Sequence, residues 1–272
     1  GGGGSGWTYG LQPETTYYFK VFEYNGSGTN TFYLTGNDDN GDSVFETSQA
    51  TIGPPTTQAS NITFSNVEGT SMTVSWTNGD GNGRLLIAKE GSPVDVEPQQ
   101  LVEYSNSSSF GQSSTEIGTG NYALYDSSGS SDNVYNLEPG KTYHFALFEY
   151  SGSSGKQYLT SSSTPAVSPA TASQTTEAYP TLNTTGMNFS SIDGDRIYRQ
   201  FYSSFYGNGD KRLIVVKEGS AVTGTPVDGQ EYSADSTFGN GDELVTGSGE
   251  YVVYDGGGGS GWTYGLQPET TY

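Results

Sequence analysis

Both ends of the chain carry the same string of residues. The string GGGGSGWTYGLQPETTY occupies residues 1–17 and returns at residues 256–272. Chance does not reproduce a string of this length, so the sequence restarts with a period of 255 residues. Solenoid repeats are about 20 to 50 residues long, whereas a period this long encodes whole domains. The repeat therefore predicts a linear array of separately folded modules.

A second, less perfect repeat divides each period into two. RLLIAKEGS at residues 84–92 corresponds to RLIVVKEGS at residues 212–220. Likewise, LEPGKTYHFALFEYSGS at residues 137–153 corresponds to LQPETTYYFKVFEYNGS at residues 11–27. With the period taken into account, the members of each pair lie half a period apart. Each period therefore holds two homologous modules, which we call A and B.

These correspondences divide the chain into three predicted segments: the C-terminal half of a module A at residues 1–53, a complete module B at residues 54–175, and the N-terminal half of the next module A at residues 176–272. Two explanations of the divided module are open. The chain is a window on a continuous array, which the duplicated terminal string favours. Alternatively, the N-terminal segment of one chain completes the C-terminal half of its neighbour by donor-strand assembly.

Apolar and polar residues alternate in short strings separated by turns rich in glycine and asparagine. Residues 61–67 and 71–76 alternate in this way, with Met72, Val74 and Trp76 on one face. No stretch shows sustained helical periodicity. About seven such strings in module B, with frequent turns between them, predict a two-sheet sandwich. The predicted fold class is all-β, as tandem β-sandwiches in a linear repeat array.

Two strings in these modules lack alternation, which predicts strands buried on both faces. LLIA at residues 85–88 and LIVV at residues 213–216 contain no polar residue. Because a sandwich buries only the inner face of each sheet, the outer face needs a cover of its own. We expect the long insertion between Gly91 and Asn133, or an adjoining module, to cover it and to bury Phe148 and Phe22.

Several residues in both modules carry a resemblance to a known family. They are the prolines Pro54 and Pro55, the tryptophan Trp76, and two corner strings with Leu137, Pro139, Thr142, Tyr143 and Leu11, Pro13, Thr16, Tyr17. In these features the chain resembles fibronectin type III domains, which are immunoglobulin-like sandwiches. The resemblance implies that the corner tyrosine hydroxyls bond to the backbone and lock a strand crossing. Module A departs from the pattern, with Phe205 expected at the position of Trp76.

The repeats are also similar to tandem modules of very large surface proteins of Bacteroidetes. The strings KEGS, GxGxYxxYD and TYxFxxFEYxGS carry this similarity. It implies a secreted, cell-surface protein of the adhesin kind, including gliding-type adhesins exported by the type IX pathway.

Charge and residue usage exclude several function classes. The chain has 30 acidic and 10 basic residues, a net charge of −20, which disfavours nucleic acid and anionic lipid as partners. No apolar run approaches membrane-spanning length, so we expect no direct membrane insertion. It has no cysteine and a single histidine, His144, whose counterpart in module A is Tyr18. A catalytic base replaced by tyrosine in the homologous module is a poor candidate. The sequence therefore predicts neither an enzyme nor a bound cofactor.

Two further motifs have both a functional and a structural interpretation. The acidic turn NDDNGD at residues 37–42 offers the oxygens of Asp38, Asp39 and Asp42 to calcium, although such residues also favour tight turns for backbone reasons alone. The aromatic side chains of Trp7, Tyr9, Trp262 and Tyr264 are able to stack on sugar rings, although the alternation of Trp7 and Tyr9 on one face just before Leu11 favours packing in the core or between the sheets. These motifs predict a calcium site and a minor sugar-binding alternative.

The function expected from these features is structural. We expect a shaft of a long, repetitive, secreted surface adhesin or filament, in which proline-containing linkers join the modules. The alternatives are carbohydrate-binding or spacer modules of a secreted polysaccharide-degrading enzyme. The expected partners are neighbouring modules, lateral copies in a filament, and a glycan or surface bound by a distal tip.

Overall fold

The computed structural model describes residues 5–163 and 166–272. The first four residues of the repeated string, together with Thr164 and Pro165 of the second linker, lie outside the described residues. Regular structure in the described part is β-strand, apart from two 3₁₀ turns at Gly28–Asn30 and Ser203–Phe205. The fold class is therefore all-β, as predicted. No helix in this part of the chain is long and apolar enough to cross a membrane.

The chain forms two compact units, and the boundary between them follows Ala178. The first unit contains twelve strands: β1 Thr16–Val21, β2 Tyr24–Asn25, β3 Phe32–Tyr33, β4 Phe45–Ala50, β5 Ser60–Ser65, β6 Met72–Thr77, β7 Gly83–Glu90, β8 Asn121–Ser127, β9 Ser131–Val134, β10 Thr142–Ser151, β11 Gln157–Tyr158 and β12 Ala170–Thr175. The second unit, Tyr179–Tyr272, contains β13 Asn188–Ile192, β14 Arg196–Gln200, β15 Arg212–Lys217, β16 Glu250–Gly256 and β17 Gly261–Tyr264. We call this second unit the C-terminal unit, and residues 5–53 the N-terminal segment.

Module B is a two-layered antiparallel sandwich. One sheet has the order β5-β6-β9, and the other has five strands, in which β10 lies between β7 and β12. The core between the sheets contains Met72, Val74 and Trp76, so the alternation in β6 predicted the buried face correctly. Phe145 and Leu147 of β10 contribute to this core from the opposite sheet.

The larger sheet is also buried on its outer face. Leu85, Ile87 and Phe148 form a second apolar cluster there, and Phe148 is only 1% exposed. The cover comes from the insertion between β7 and β8, whose side chains Val94, Val96, Tyr104 and Ile117 pack on the cluster. The predicted cover is therefore confirmed for module B. Phe22, the counterpart of Phe148 in the N-terminal segment, is 42% exposed, so its expected burial is wrong for this structure. The reason is that β1 pairs only with β4 among the described strands.

The tyrosine corner recurs three times. The hydroxyl of Tyr143 accepts a hydrogen bond from the Glu138 backbone N–H at 2.9 Å, with Leu137 buried beside it and Pro139 half-buried in the same loop. Tyr17 accepts the same bond from the Gln12 N–H at 2.7 Å, in the corner that holds the half-buried Leu11 and Pro13. Tyr272 accepts it from the Gln267 N–H at 2.8 Å. Donor and acceptor are close neighbours in sequence, so the corner is a local structure.

The position of Phe205 differs from the expectation. In module B, Met72 of β6 pairs with Val134, and in the C-terminal unit Ile197 of β14 pairs with the corresponding Thr263. Counting along the strands from these pairs places Phe201, and not Phe205, at the position of Trp76. Phe205 lies in a 3₁₀ turn because the loop after β14 is longer than the loop after β6. The assignment of Phe205 was therefore wrong.

Replacing Tyr143 by phenylalanine tests the corner in module B. The variant Tyr143→Phe keeps the ring but leaves the Glu138 N–H without its acceptor, so we expect the free energy of unfolding to fall by about 1 kcal/mol. Urea unfolding followed by tryptophan fluorescence measures this change. Tyr135→Phe is the matched control, because that ring is 49% exposed. Equal losses in the two variants would contradict a specific role for the corner bond.

Candidate functional site: the entry and exit clamps of the module

The chain enters module B through a hydrogen-bonded clamp. The Asp80 carboxylate, in the turn between β6 and β7, accepts the backbone N–H of Thr57 at 2.8 Å and of Thr56 at 3.0 Å. It also accepts the Thr56 hydroxyl at 2.6 Å. The hydroxyl of Thr56 is the main cause that lowers the pKa of Asp80 below its usual value. This entry clamp fixes the first residues after Pro55 to the body of the sandwich.

A buried carboxylate lies directly behind the entry clamp. Glu149 of β10 is fully buried and accepts the Arg84 Nε at 2.6 Å. It also accepts the backbone N–H groups of Gly79 at 2.8 Å and Gly81 at 3.0 Å. The Glu149 backbone N–H in turn donates to the Gln58 side chain at 2.6 Å. One acidic residue thus joins the entering chain, the β6–β7 turn and two central strands.

The β6–β7 turn contains glycine where its backbone comes close to the Glu149 carboxylate. A Cβ atom on Gly81 would lie 2.6 Å from Glu149 Oε2, and one on Gly79 would collide with the Thr57 carbonyl oxygen. Glycine is therefore required at both positions to bring two backbone N–H groups onto one carboxylate. A buried charge is tolerated only when it is paired and hydrogen-bonded, and Glu149 meets that condition.

The chain leaves module B through a second clamp. The Thr176 hydroxyl donates to the Glu138 carbonyl oxygen at 2.6 Å and accepts the Lys141 backbone N–H at 3.1 Å. The carbonyl oxygen of the next residue, Glu177, accepts the Gly140 backbone N–H at 2.9 Å. This exit clamp ties the end of β12 to the tyrosine corner. Thr51 repeats it in the N-terminal segment, where its hydroxyl donates to the Gln12 carbonyl oxygen at 2.5 Å.

The two clamps of module B lie at opposite ends of the same strand. β10 begins at Thr142, beside the exit clamp, and ends at Ser151, beyond the buried Glu149 behind the entry clamp. A ten-residue strand is about 33 Å long at the usual rise per residue. The chain therefore enters at one end of the sandwich and leaves at the other. This geometry allows modules to be joined end to end.

The entry clamp recurs in the C-terminal unit. Asn208, which corresponds to Asp80, accepts the backbone N–H of Leu182 at 2.8 Å and of Thr181 at 2.9 Å. Its own N–H donates to the Leu182 carbonyl oxygen at 3.3 Å, as the Asp80 N–H does to Thr57. An amide and a carboxylate thus perform the same task, because the clamp needs one oxygen acceptor in this turn.

A different carboxylate holds the outer layer of the C-terminal unit. Glu250 is buried and accepts the Thr223 N–H at 2.8 Å, the Gly224 N–H at 2.9 Å and the Lys217 ammonium at 3.2 Å. The Thr223 N–H is the main cause that lowers the pKa of Glu250 to about 2. In module B the corresponding position is Asn121, and Lys89 pairs instead with Asp95 at 2.7 Å. The acidic partner of this lysine therefore lies in the loop after β7 in module B and in strand β16 in the C-terminal unit.

The three candidate calcium ligands are not brought together. Asp38 Oδ1 accepts the backbone N–H groups of Asn40 and Asp42, each at 2.9 Å, which is the usual bonding of a tight turn. Within the described residues, no three His, Cys, Asp or Glu side chains are grouped so that they share a metal. Calcium binding by Asp38, Asp39 and Asp42 therefore stays a prediction.

The other candidate residues occupy ordinary structural positions. His144 lies half-buried on β10, opposite Lys89 on one side and Ser173 on the other. Trp262 of β17 packs edge-on against Tyr198, with ring centroids 5.2 Å apart. The counterpart of Trp262 in the N-terminal segment, Trp7, is 85% exposed because no strand pairs with it there.

Sequence reasoning missed the residues that form the clamps. A signal was present for one pair: Arg84 and Glu149 are charged residues in otherwise apolar strings, and Arg212 and Glu23 repeat them in module A. A charge that recurs in a buried strand indicates a paired partner in another buried strand. No comparable signal marked Asp80 or Thr176, because single polar residues in turns are common.

Comparisons with known proteins give fold-level similarity only. No protein-family model matches the chain, and no curated protein sequence matches it. Among solved structures, the fibronectin type III domain of human fibronectin type III domain containing protein 3 is 17% identical over 48% of this chain and 93% of that one, with a TM-score of 0.28. A two-domain fibronectin type III segment of chicken tenascin is 14% identical over 78% of this chain and 85% of that one, with a TM-score of 0.26. A redesigned β-sandwich protein is 18% identical over 47% of this chain and 93% of that one, with a TM-score of 0.29. TM-scores this low do not support an inference about function.

Removing the buried carboxylate tests the junction behind the entry clamp. The variant Glu149→Ala leaves the Arg84 guanidinium buried without its partner, so we expect module B to lose about 3 to 5 kcal/mol of unfolding free energy. Urea unfolding with Trp76 fluorescence measures the loss. Glu103→Ala, which removes an exposed carboxylate from the same module, is the control. If the losses of the two variants differ by less than about 0.5 kcal/mol, the pair is not a stabilising junction.

Acid titration tests Glu250 in the C-terminal unit. Because folding lowers the pKa of Glu250 from its usual 4.5 to about 2, its contribution to stability is complete above pH 4.5 and is lost as the pH falls towards 2. We expect Glu250→Gln to remove this part of the pH dependence, so that parent and variant converge at the acid end. Unfolding followed by Trp262 fluorescence across this range measures it. Glu231→Gln, at an exposed position, is expected to keep the parent profile.

Proposed function

We propose that the chain is a non-catalytic structural segment of a long repetitive protein, in which modules joined end to end form a shaft. The observation that carries the proposal is the pair of clamps at opposite ends of β10. Tension that enters at Thr56 and Thr57 is passed through the Asp80 and Glu149 contacts into the central sheet. It leaves through the hydrogen bonds of Thr176 at the other end. Each module then transmits tension from one linker to the next.

The repetition of the clamps supports the same function. Asn208 reproduces the entry clamp in the C-terminal unit, and Thr51 reproduces the exit clamp in the N-terminal segment. A function that depends on every link predicts this repetition, whereas a binding site on one module does not. The strongly acidic composition supports an extended, soluble polymer, because like charges oppose lateral collapse.

We further propose that the shaft is extracellular and displays a distal adhesive region from the cell surface. This part of the proposal is supported by the repeat architecture and by the resemblance of the strings KEGS, GxGxYxxYD and TYxFxxFEYxGS to those of large surface adhesins. Its partners are neighbouring modules of the same protein and a glycan or surface bound at the tip. The sugar-binding alternative is not favoured, because the counterpart of the exposed Trp7 packs against Tyr198.

Electron microscopy of polypeptides with one, two and three complete periods tests the shaft. We expect the length to rise in equal steps of about 7 nm or more per period, since each period holds two modules with a central strand of about 33 Å. Reversal of the Asp80 charge, as Asp80→Lys, is expected to lower the force at which modules unfold in single-molecule pulling, and Glu103→Lys, at an exposed position of the same module, serves as the control. Compact particles whose diameter does not grow in equal steps would refute the proposal.

A further inference from the structure

The two incomplete parts of module A have complementary open strand edges. In module B, β7 pairs with β8 on one side and with β10 on the other. The corresponding strand of the C-terminal unit, β15, pairs only with β16 in the described part of that unit. The strand that corresponds to β10 is β1 of the N-terminal segment, and among the described strands it pairs only with β4. Each part therefore lacks the neighbour that the other would supply.

The apolar side chains of β1 show what is missing. Phe145 and Leu147 of β10 are 1% and 0% exposed in the complete module. Their counterparts in the N-terminal segment, Phe19 and Val21, are 39% and 54% exposed. Apolar residues at the same positions thus change from core to surface. The difference is the absence of the β15 sheet and of the sheet that packs beneath it.

The C-terminal unit has a matching groove, which we call the acceptor groove. It has a volume of about 480 Å³, and its lining includes Ile197, Ile214, Val216, Leu266 and Arg199. In module B the corresponding space is filled by side chains of β10. The acceptor groove is therefore the unfilled core of a sandwich that still lacks its central strand.

Arg212 in the C-terminal unit lacks the carboxylate partner that Arg84 has in module B. The guanidinium of Arg212 donates to the carbonyl oxygens of Gly257 and Gly209, as Arg84 does to those of Ser128 and Gly81. Its Nε, however, is buried and has no hydrogen-bond partner among the described residues, whereas Arg84 Nε is bound to Glu149. The N–H groups of Gly207 and Gly209, which correspond to those that bind Glu149, likewise donate to no acceptor in the described part of the chain. Three donors thus surround the position of one absent carboxylate.

The carboxylate that fits this position is that of Glu23. It corresponds to Glu149 in the string FEY that both modules share. Its side chain is exposed and takes part in no hydrogen bond or ion pair within the described residues. The buried Nε of Arg212 has no carboxylate, and the exposed Glu23 carboxylate has no cation, so within the described residues the two groups are complementary.

The end of the C-terminal unit already sets the register. The Gly219 N–H donates to the Thr271 carbonyl oxygen at 2.8 Å, as the Gly91 N–H does to that of Thr142 at 2.8 Å. Residues 266–272 therefore occupy the place of residues 137–143, and the strand required next begins at the counterpart of His144. In this sequence that counterpart is Tyr18.

We propose that the acceptor groove binds a strand pair with the sequence of residues 18–50, supplied by the next repeat of the array. The pairing of β7 with β10 then places Tyr18 opposite Lys217, Val21 opposite Ile214, and Glu23 opposite Arg212. The Glu23 carboxylate binds the Arg212 Nε and the two glycine N–H groups. The proposal rests on the array of the proposed function, but it concerns one interface, so the two are tested separately.

The test adds a synthetic peptide of residues 18–53 to the full chain. The chain has no cysteine, so Lys211→Cys in the chain and Tyr24→Cys in the peptide introduce one thiol each, at positions that correspond to the paired Gly83 and Tyr150. We expect a disulfide between peptide and chain under mild oxidation. A chain with Glu231→Cys, an exposed residue outside the acceptor groove, is the control and is expected to react at the background rate.

A second measurement tests the contribution of the Glu23 carboxylate to binding. The peptide with Glu23→Ala is expected to bind on the order of a hundredfold more weakly, because it leaves the Arg212 Nε unpaired. The peptide with Glu46→Ala, which loses an exposed carboxylate of β4, is expected to bind nearly as the parent does, because a surface ion pair contributes little. Equal affinities of the Glu23→Ala and Glu46→Ala peptides, or cross-linking no faster than with the Glu231→Cys chain, would overturn the proposal. Either result would leave the shaft to be judged by its own length measurement.

Discussion

Glu149 is held by Arg84 and by two backbone N–H groups in a position that water does not reach, and several features of module B follow from that bond. The carboxylate closes the β6–β7 turn, which requires glycine at positions 79 and 81. It fixes β10 against β7 and, through Gln58, fastens the entering chain to the sheet. The buried pair is thus a link between the entering chain and the core of module B. In the C-terminal unit, where β15 pairs only with β16 among the described strands, the Nε of Arg212 has no such carboxylate.

Burial of both faces of the central sheet explains how a chain that is only 31% hydrophobic and 13% aromatic builds a stable module. The insertion between β7 and β8 adds a second apolar layer without adding a second domain. Large rings such as Phe148 and Tyr158 supply much of the buried area in this layer. Burial also raises the pKa of Tyr158 above its usual value, and the Tyr158 hydroxyl donates a hydrogen bond to the Val102 carbonyl oxygen at 3.0 Å.

The sequence predicted the all-β class, the buried face of β6 and the covered outer face of β10 because each depends on a residue pattern within one strand. It failed for Phe205, since a longer loop shifted the alignment and only the pairing of Ile197 with Thr263 corrects it. The clamps at Asp80 and Thr176 were missed because their partners are distant in sequence or are backbone atoms. The sequence shows that Arg84 and Glu149 are charged residues within apolar strings. It does not show that they pair with each other or that the pair lies behind the entry clamp.

The duplicated terminal string separates what the sequence alone determines from what tertiary structure decides. Both copies form the same corner, with Tyr17 bonded to Gln12 and Tyr272 bonded to Gln267, because a hydrogen bond between such near neighbours needs no other part of the chain. Between Trp7 and Tyr9 the first copy forms no strand, whereas the second copy forms β17, since a β-strand requires a partner and β14 supplies one there. The sequence of the string alone thus determines the tyrosine corner. The strand, and the burial of Thr263 within it, depend on which neighbour the fold provides.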